Sequence, residues 1–173
     1  MTTTPGASAR SGTADGSADA ERLRAWARGA YECEAGVELL IRSGLLERTG
    51  AAAAWPATAG GQDITTLDLP ALETALENGT LSGEQRRTAL VVLSLLAGQA
   101  HAVNLADVLP GLDRRTLDLV LAALAHAGGS HEYSDVRYDE HGVISGFGEG
   151  YLPSLHPWPA PTGSAAGAPA TTS

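Results

Sequence analysis

Residues Ser82 to Gly150 read SGEQRRTALVVLSLLAGQAHAVNLADVLPGLDRRTLDLVLAALAHAGGSHEYSDVRYDEHGVISGFGEG, and this stretch decides the fold. Ser82 and Gln85 have the spacing of a capping box. The run that follows, ALVVLSLLA from Ala89 to Ala97, is apolar on almost every side, so its helix should be the central, most buried one, ending at Gly98. A short helix over Asn104 to Leu109, a Pro110-Gly111-Leu112 turn and an Asp113-capped helix to Ala127 come next. Leu117, Val120, Leu121 and Leu124 form the apolar stripe of that last helix. Three helices joined so tightly suggest a helix-turn-helix. From Tyr133 to Phe147 the residues alternate as two strands, VRY and VISGF, around Asp139-Glu140-His141-Gly142, whose glycine can take the positive φ of a hairpin loop. A hairpin after a helix-turn-helix is the outline of a winged helix. The expected fold class is therefore mainly α: a helical bundle with a winged-helix-like C-terminal half.

Upstream, Leu23, Trp26, Ala27, Ala30, Val37, Leu40 and Ile41 recur at three- and four-residue spacing, which predicts a long helix from Ala20 to Ser43 with Gly44 as its C-cap. Gly50 to Gln62 reads as a loop by its Gly and Pro content, with Trp55 tacking it to the core. Asp68 caps a short helix in which Leu72 and Leu76 lie one turn apart, closed by Asn78-Gly79. Residues 1–18 and 159–173 are Thr, Ser, Gly, Ala and Pro without periodicity and are expected to be disordered tails. Between them lies a single helical domain, 19–158, divided into N-terminal helices (19–81) and the winged-helix-like part (82–150). The apolar, Pro-rich segment Tyr151 to Pro159 either packs on that domain or docks into a partner groove, and packing is the simpler reading.

The chain has 11 basic residues, all arginine, against 20 acidic ones, for a net charge of −9. That field repels phosphate backbones, so nucleic-acid binding is possible only through a local arginine face. No apolar run is long enough for a membrane span or a signal-peptide core, which points to the cytoplasm. The one cysteine, Cys33, lies between Glu32 and Glu34, whose charges raise its pKa and make it a packing residue instead of a nucleophile.

Arg114 and Arg115, in the first turn of the Asp113-capped helix, stand where a recognition helix contacts bases, and Arg86, Arg87 and Arg137 could add phosphate contacts. Nine acids share Ser82 to Gly150 with those five arginines, which weighs against a DNA-binding face. His126, His131 and His141 are the weak candidates for a metal site, since imidazole with carboxylate suits zinc, but their spacing matches no compact zinc motif. Nucleophile-elbow, dinucleotide and phosphate-loop motifs are all missing, so neither catalytic residues nor a cofactor are expected.

Two resemblances attach to these elements. RLRAWARGAYECEAGVELLIRSG (Arg22 to Gly44), LDLPALETALENGTLSGEQ (Leu67 to Gln85) and Leu96 to Gly129 resemble an uncharacterised family of actinobacterial, Streptomyces-type proteins, which implies a source and a fold but no activity. Leu95 to Gly148, above all EYSDVRYDEHGVISGFG, is similar to the winged-helix-like N-terminal module of alkylmercury lyases, with its hairpin of the type YDxxGxIxGxG. Those enzymes cleave the carbon–mercury bond with two cysteines and an aspartate in a following domain. With Cys33 as the only cysteine, the resemblance implies a non-catalytic module that supports a partner. The expected function is a cytoplasmic protein-interaction or adaptor module acting on a protein partner or as a homodimer. The alternative is a dimeric DNA-binding regulator using helix 113–127.

Overall fold

Side-chain caps set where the helices begin. In the computed structural model, which describes residues 14–55 and 64–160, Asp68 accepts from the Ala71 amide at 3.1 Å and opens α4 (Leu69–Glu77). Ser82 and Gln85 complete the capping box of α5 (Gly83–Ala97). Asn104 caps the single turn α6 (Leu105–Val108), and Asp113 caps α7 (Arg114–Ala127) by accepting from the Thr116 amide at 2.7 Å. Each cap satisfies an amide that the first helical turn leaves without a partner.

The long N-terminal helix is two helices. α1 (Ala14–Ala27) stops at Arg28, Gly29 adopts φ +94°, and α2 (Tyr31–Arg42) sets off in a new direction. A residue with a Cβ resists that φ, so the break is written at Gly29. α1 also begins inside the stretch expected to be a tail, from Ala14, while residues 1–13 and 161–173 lie outside the described residues. Ser43 is the C-cap of α2, Gly44 takes the left-handed conformation just beyond it, and a five-residue helix α3 (Leu45–Thr49) follows.

The expected loop after Gly50 holds a strand. β1 (Ala52–Trp55) pairs antiparallel with β2 (Ile64–Leu67), in register Ala52 with Leu67 and Trp55 with Ile64. Alanines carry no β signal of their own, and the pairing is carried by ITTL, whose β-branched side chains favour a pleated surface. The anchoring expected of Trp55 falls outside the described side chains.

Packing centres on α2, which lies against α1, α5 and α7, so α5 shares the central place expected for it alone. Leu23, Leu39, Leu40, Leu72, Leu93, Val92 and Val120 are fully buried in one continuous core. At Gly36 a Cβ would lie 2.7 Å from Leu96 Cγ, so the missing side chain is what lets α2 and α5 approach so closely. α7 presents Leu119, Val120, Ala122 and Ala123 to the body, and Leu121 and Leu124 of the expected stripe are exposed. α7 packs against α2, and the face it buries is rotated from the expected stripe, keeping Val120 and adding Leu119, Ala122 and Ala123.

After α7 the chain forms a two-stranded antiparallel ribbon, β3 (Ser134–Tyr138) and β4 (Ile144–Tyr151). Gly142 at φ +75° turns the loop, and Asp139 accepts from the His141 and Val143 amides, each at 2.9 Å. The chain is thus mainly helical with two small antiparallel sheets among the described residues.

Candidate functional site

α2 carries a polar stripe on one flank, Glu34, Glu38 and Arg42, spaced four residues apart so that they stack on successive turns. Glu38 sits at the centre and accepts from Arg24 Nε of α1 at 2.7 Å and from Arg42 Nε. Burial alone would raise its pKa, but the two guanidinium bonds outweigh that and hold its carboxyl below the ordinary range. One turn back, Glu34 accepts from the Gly29 amide at 2.8 Å and from His126 Nε2 of α7 at 2.8 Å. The amide bond is the main reason that its carboxyl is also held low. The break at Gly29 therefore delivers an amide to the site as well as a change of direction.

At the C-terminal end of α7, His126 and His131 stack with ring centroids 4.4 Å apart and planes 14° from parallel. Tyr31 meets both rings edge-on, and its phenol is pushed up to about 12 by its hydrogen bond to the Glu132 carboxylate. His131 Nδ1 is buried and has no partner among the described residues.

A strap formed by Ser154 to Ala160 closes the site from outside. Ser154 Oγ meets the buried Ser130 hydroxyl at 3.2 Å, His156 Nε2 donates to Asp118 Oδ1 at 2.7 Å, and Arg42 Nη1 donates to the Pro159 carbonyl at 2.7 Å. Trp158 packs on the core, with the Arg42 guanidinium 5.2 Å above its ring. Two open clefts flank this strap. One, of about 240 Å³, is lined by Arg24, Arg28, Glu34, Glu38, His126 and Trp158. The other, of about 320 Å³, has Arg24, Arg42 and Arg115 around Ile41, Leu119 and Pro159.

The ribbon is a second candidate surface. Cross-strand partners share a face, which sets Tyr138 beside Ile144 and Val136 beside Phe147. Tyr138, Ile144 and Phe147 are 63%, 55% and 66% exposed. The other face is bare backbone at Gly146 and Gly148, with Asp135 lying against Gly148 so closely that a Cβ there would be 2.8 Å from it.

The residues singled out from sequence are dispersed by the fold. His126 and His131 come together, but His141 is on the exposed ribbon tip beside Glu140, and no group of three metal-ligating side chains forms among the described residues. Arg86 donates to the Leu76 carbonyl at 2.8 Å and so ties α5 to the end of α4. The Arg87 guanidinium lies over Gly111, Arg137 is exposed on β3, and Arg114 is exposed at the start of α7. Arg115, its neighbour, lines the larger cleft. Cys33 is free and half-buried, and burial followed by Glu32 and Glu34 pushes its thiol up. Sequence reasoning missed Arg24, Glu34, Glu38, Arg42 and Trp158, although the four-residue spacing of the α2 stripe was there to be read.

No helix among the described residues is long and apolar enough to cross a membrane. Comparisons with protein-family models, with curated proteins and with solved structures find no match.

Proposed function

We propose that this chain is a non-catalytic, cytoplasmic protein-interaction module of winged-helix-like type, in which the β3–β4 ribbon is the contacting element. The observation that carries this reading is the run of exposed apolar side chains on one ribbon: Tyr138, Val143, Ile144 and Phe147, each more than half exposed. Apolar surface grouped in this way costs free energy in water and is recovered when a partner covers it. Aromatic side chains are the usual anchors of such contacts, because they bury much area while fixing few torsions. The order helix, short helix, helix, hairpin and the likeness of Leu95 to Gly148 to the alkylmercury lyase module support the same reading, a module that braces a partner.

Asp135, Asp139 and Glu140 border the ribbon, and the whole chain is acidic. The partner is therefore a protein with an apolar surface rimmed by basic side chains, since a second acidic copy would meet charge repulsion. A photo-crosslinking residue at position 147 is expected to give one discrete adduct with such a protein, and the same residue at position 47 on α3 none. No adduct would defeat the reading. An adduct with the mass of two copies would move the contact to a homodimer.

The alternative, a dimeric DNA-binding regulator, has the helix–hairpin order and the exposed Arg114 in its favour. Arg86 and Arg115 are directed to carbonyl and cleft, so we expect a random-sequence duplex at about 50 mM salt to show no steep salt-dependent binding.

A further inference from the structure

α7 is apolar on two sides. Its inner face, Leu119, Val120, Ala122 and Ala123, is buried where the helix packs against α2 and α5. On the outer side Leu117, Leu121 and Leu124 follow one another at four- and three-residue spacing, and Leu121 and Leu124 are 41% and 36% exposed. Arg114 and Gly128 extend the same row at its two ends, so it reads Arg, Leu, Leu, Leu, Gly from one end of the helix to the other. Alternating steps of three and four average 3.5 residues, the period at which one helix seats its side chains between those of a second. The inner face already holds α7 on the body, so the outer row is left over from the packing of this chain.

The ends of the row say what fits it. Arg114 is its one charged residue, and no ion pair to Arg114 forms among the described residues. It stands in the first turn of α7, the positive end of the helix dipole, which repels a cation. A second α7 laid alongside in the antiparallel sense removes that mismatch. With Leu121 on the two-fold axis, Arg114 of each copy meets Gly128 of the other, at the negative end of the helix, where no side chain stands in the way. Leu117 then meets Ala125, and Leu121 meets itself. Parallel pairing would set Arg114 against Arg114. The row is therefore complementary to its own antiparallel copy in shape and in charge. Acids rim the ribbon, whereas Asp118, which borders this row, is tied to His156 of the strap at 2.7 Å. The net charge of −9 on each copy still opposes approach at long range, and salt screens it.

We propose that the outer face of α7 is a homodimer seam, in which two copies of this chain pack α7 against α7, antiparallel about Leu121. The 14 residues of α7 span about 21 Å, a short contact, which sets the expected dissociation constant in the range of about 10–100 μM. In the dimer α7 is covered and closed to a DNA groove. The ribbon lies outside the seam, so the dimer carries two ribbons and can grip a partner at two points.

The test is sedimentation velocity of the full chain from about 1 to 300 μM, spanning the range expected of so small an interface. A monomer–dimer equilibrium is expected, tighter at about 500 mM salt than at about 50 mM because the like net charges are screened. Leu121→Glu should weaken it at least about tenfold while leaving the circular dichroism unchanged, since Leu121 is exposed in the monomer. Arg137→Glu on the ribbon should leave it within about twofold. A second measurement does not depend on how Leu121→Glu folds. In a Cys33→Ala background, Leu121→Cys should oxidise to a disulfide dimer and Leu117→Cys should not, because only a residue on the two-fold axis meets itself. A chain that is monomeric at every concentration overturns the proposal. A dimer that folded Leu121→Glu leaves intact places the contact elsewhere, and equal crosslinking from positions 117 and 121 overturns the antiparallel register.

Discussion

The helical body and the ribbon use the same chain in opposite ways. In the body, Leu23, Leu39, Leu40 and Leu93 are 0% to 1% exposed, each held between helix faces. In and beside the ribbon, Tyr133, Tyr138, Ile144, Phe147 and Tyr151 are 55% to 69% exposed. The chain has one phenylalanine and four tyrosines, and the phenylalanine and three of the tyrosines are in this exposed region. The buried core is built from Leu, Val and Ala, so the phenylalanine and these three tyrosines lie where packing within the described residues does not require them. The difference teaches that stability and contact are assigned to separate elements.

That division can be broken at several points, most severely in the body. Leu93→Ala removes a side chain 1% exposed on α5 and should cost about 2–5 kcal/mol in urea unfolding, from lost transfer free energy and the cavity left behind. Glu38→Gln should cost about 1–2 kcal/mol at neutral pH, because Arg24 and Arg42 lose the shared negative charge and one of its two accepting oxygens while water still reaches both. The sign of its pH dependence follows from a folded pKa below the ordinary value of 4.5: the stabilisation is complete above that value and is lost as pH falls through the lower folded one. Denaturant curves of wild type and Glu38→Gln should therefore converge below about pH 4.5, and a gap that persists in acid would remove the ion pair as its cause.

Smaller effects sharpen the same contrast. Ser82→Ala should cost about 1 kcal/mol in thermal unfolding by opening the capping box of α5. The double variant Tyr138→Ser plus Ile144→Ser should change stability by less than about 0.5 kcal/mol while abolishing the crosslink formed from position 147 to a partner. A loss of 2 kcal/mol or more there would mean that the ribbon packs in solution and belongs to the body after all.

What the sequence made legible was the local chemistry. Asp68, Ser82, Asn104 and Asp113 announce their helices because a cap needs only its own next three residues. Gly142 announces the ribbon for the same reason. The features that were not legible depend on distance in space. Leucine outranks alanine in hydrophobicity, so periodicity points to Leu121 and Leu124 on the buried face of α7, whereas the buried face carries Leu119, Ala122 and Ala123 beside Val120. The strand Ala52–Trp55 exists because β2 lies beside it, and alanines do not reveal that. The candidate site was missed for a related cause: Arg24, Glu38, His126 and Trp158 come from four separate segments that share no sequence spacing. The strap was half legible: packing is the expectation for Tyr151 to Pro159 as a whole, and Trp158 packs on the core while Leu155 is 85% exposed.

The stacked imidazoles of His126 and His131 have a consequence for following this molecule in solution. Two nearly parallel rings with Tyr31 at their edge place each ring's protons in the magnetic shielding of its neighbours, so their resonances should stand apart from those of His141 on the ribbon tip. Tyr31 and Glu34 belong to α2, so docking of α7 on α2 is what brings them against these rings. A proton spectrum can therefore follow the closing of the α2–α7 junction separately from anything that happens at the ribbon.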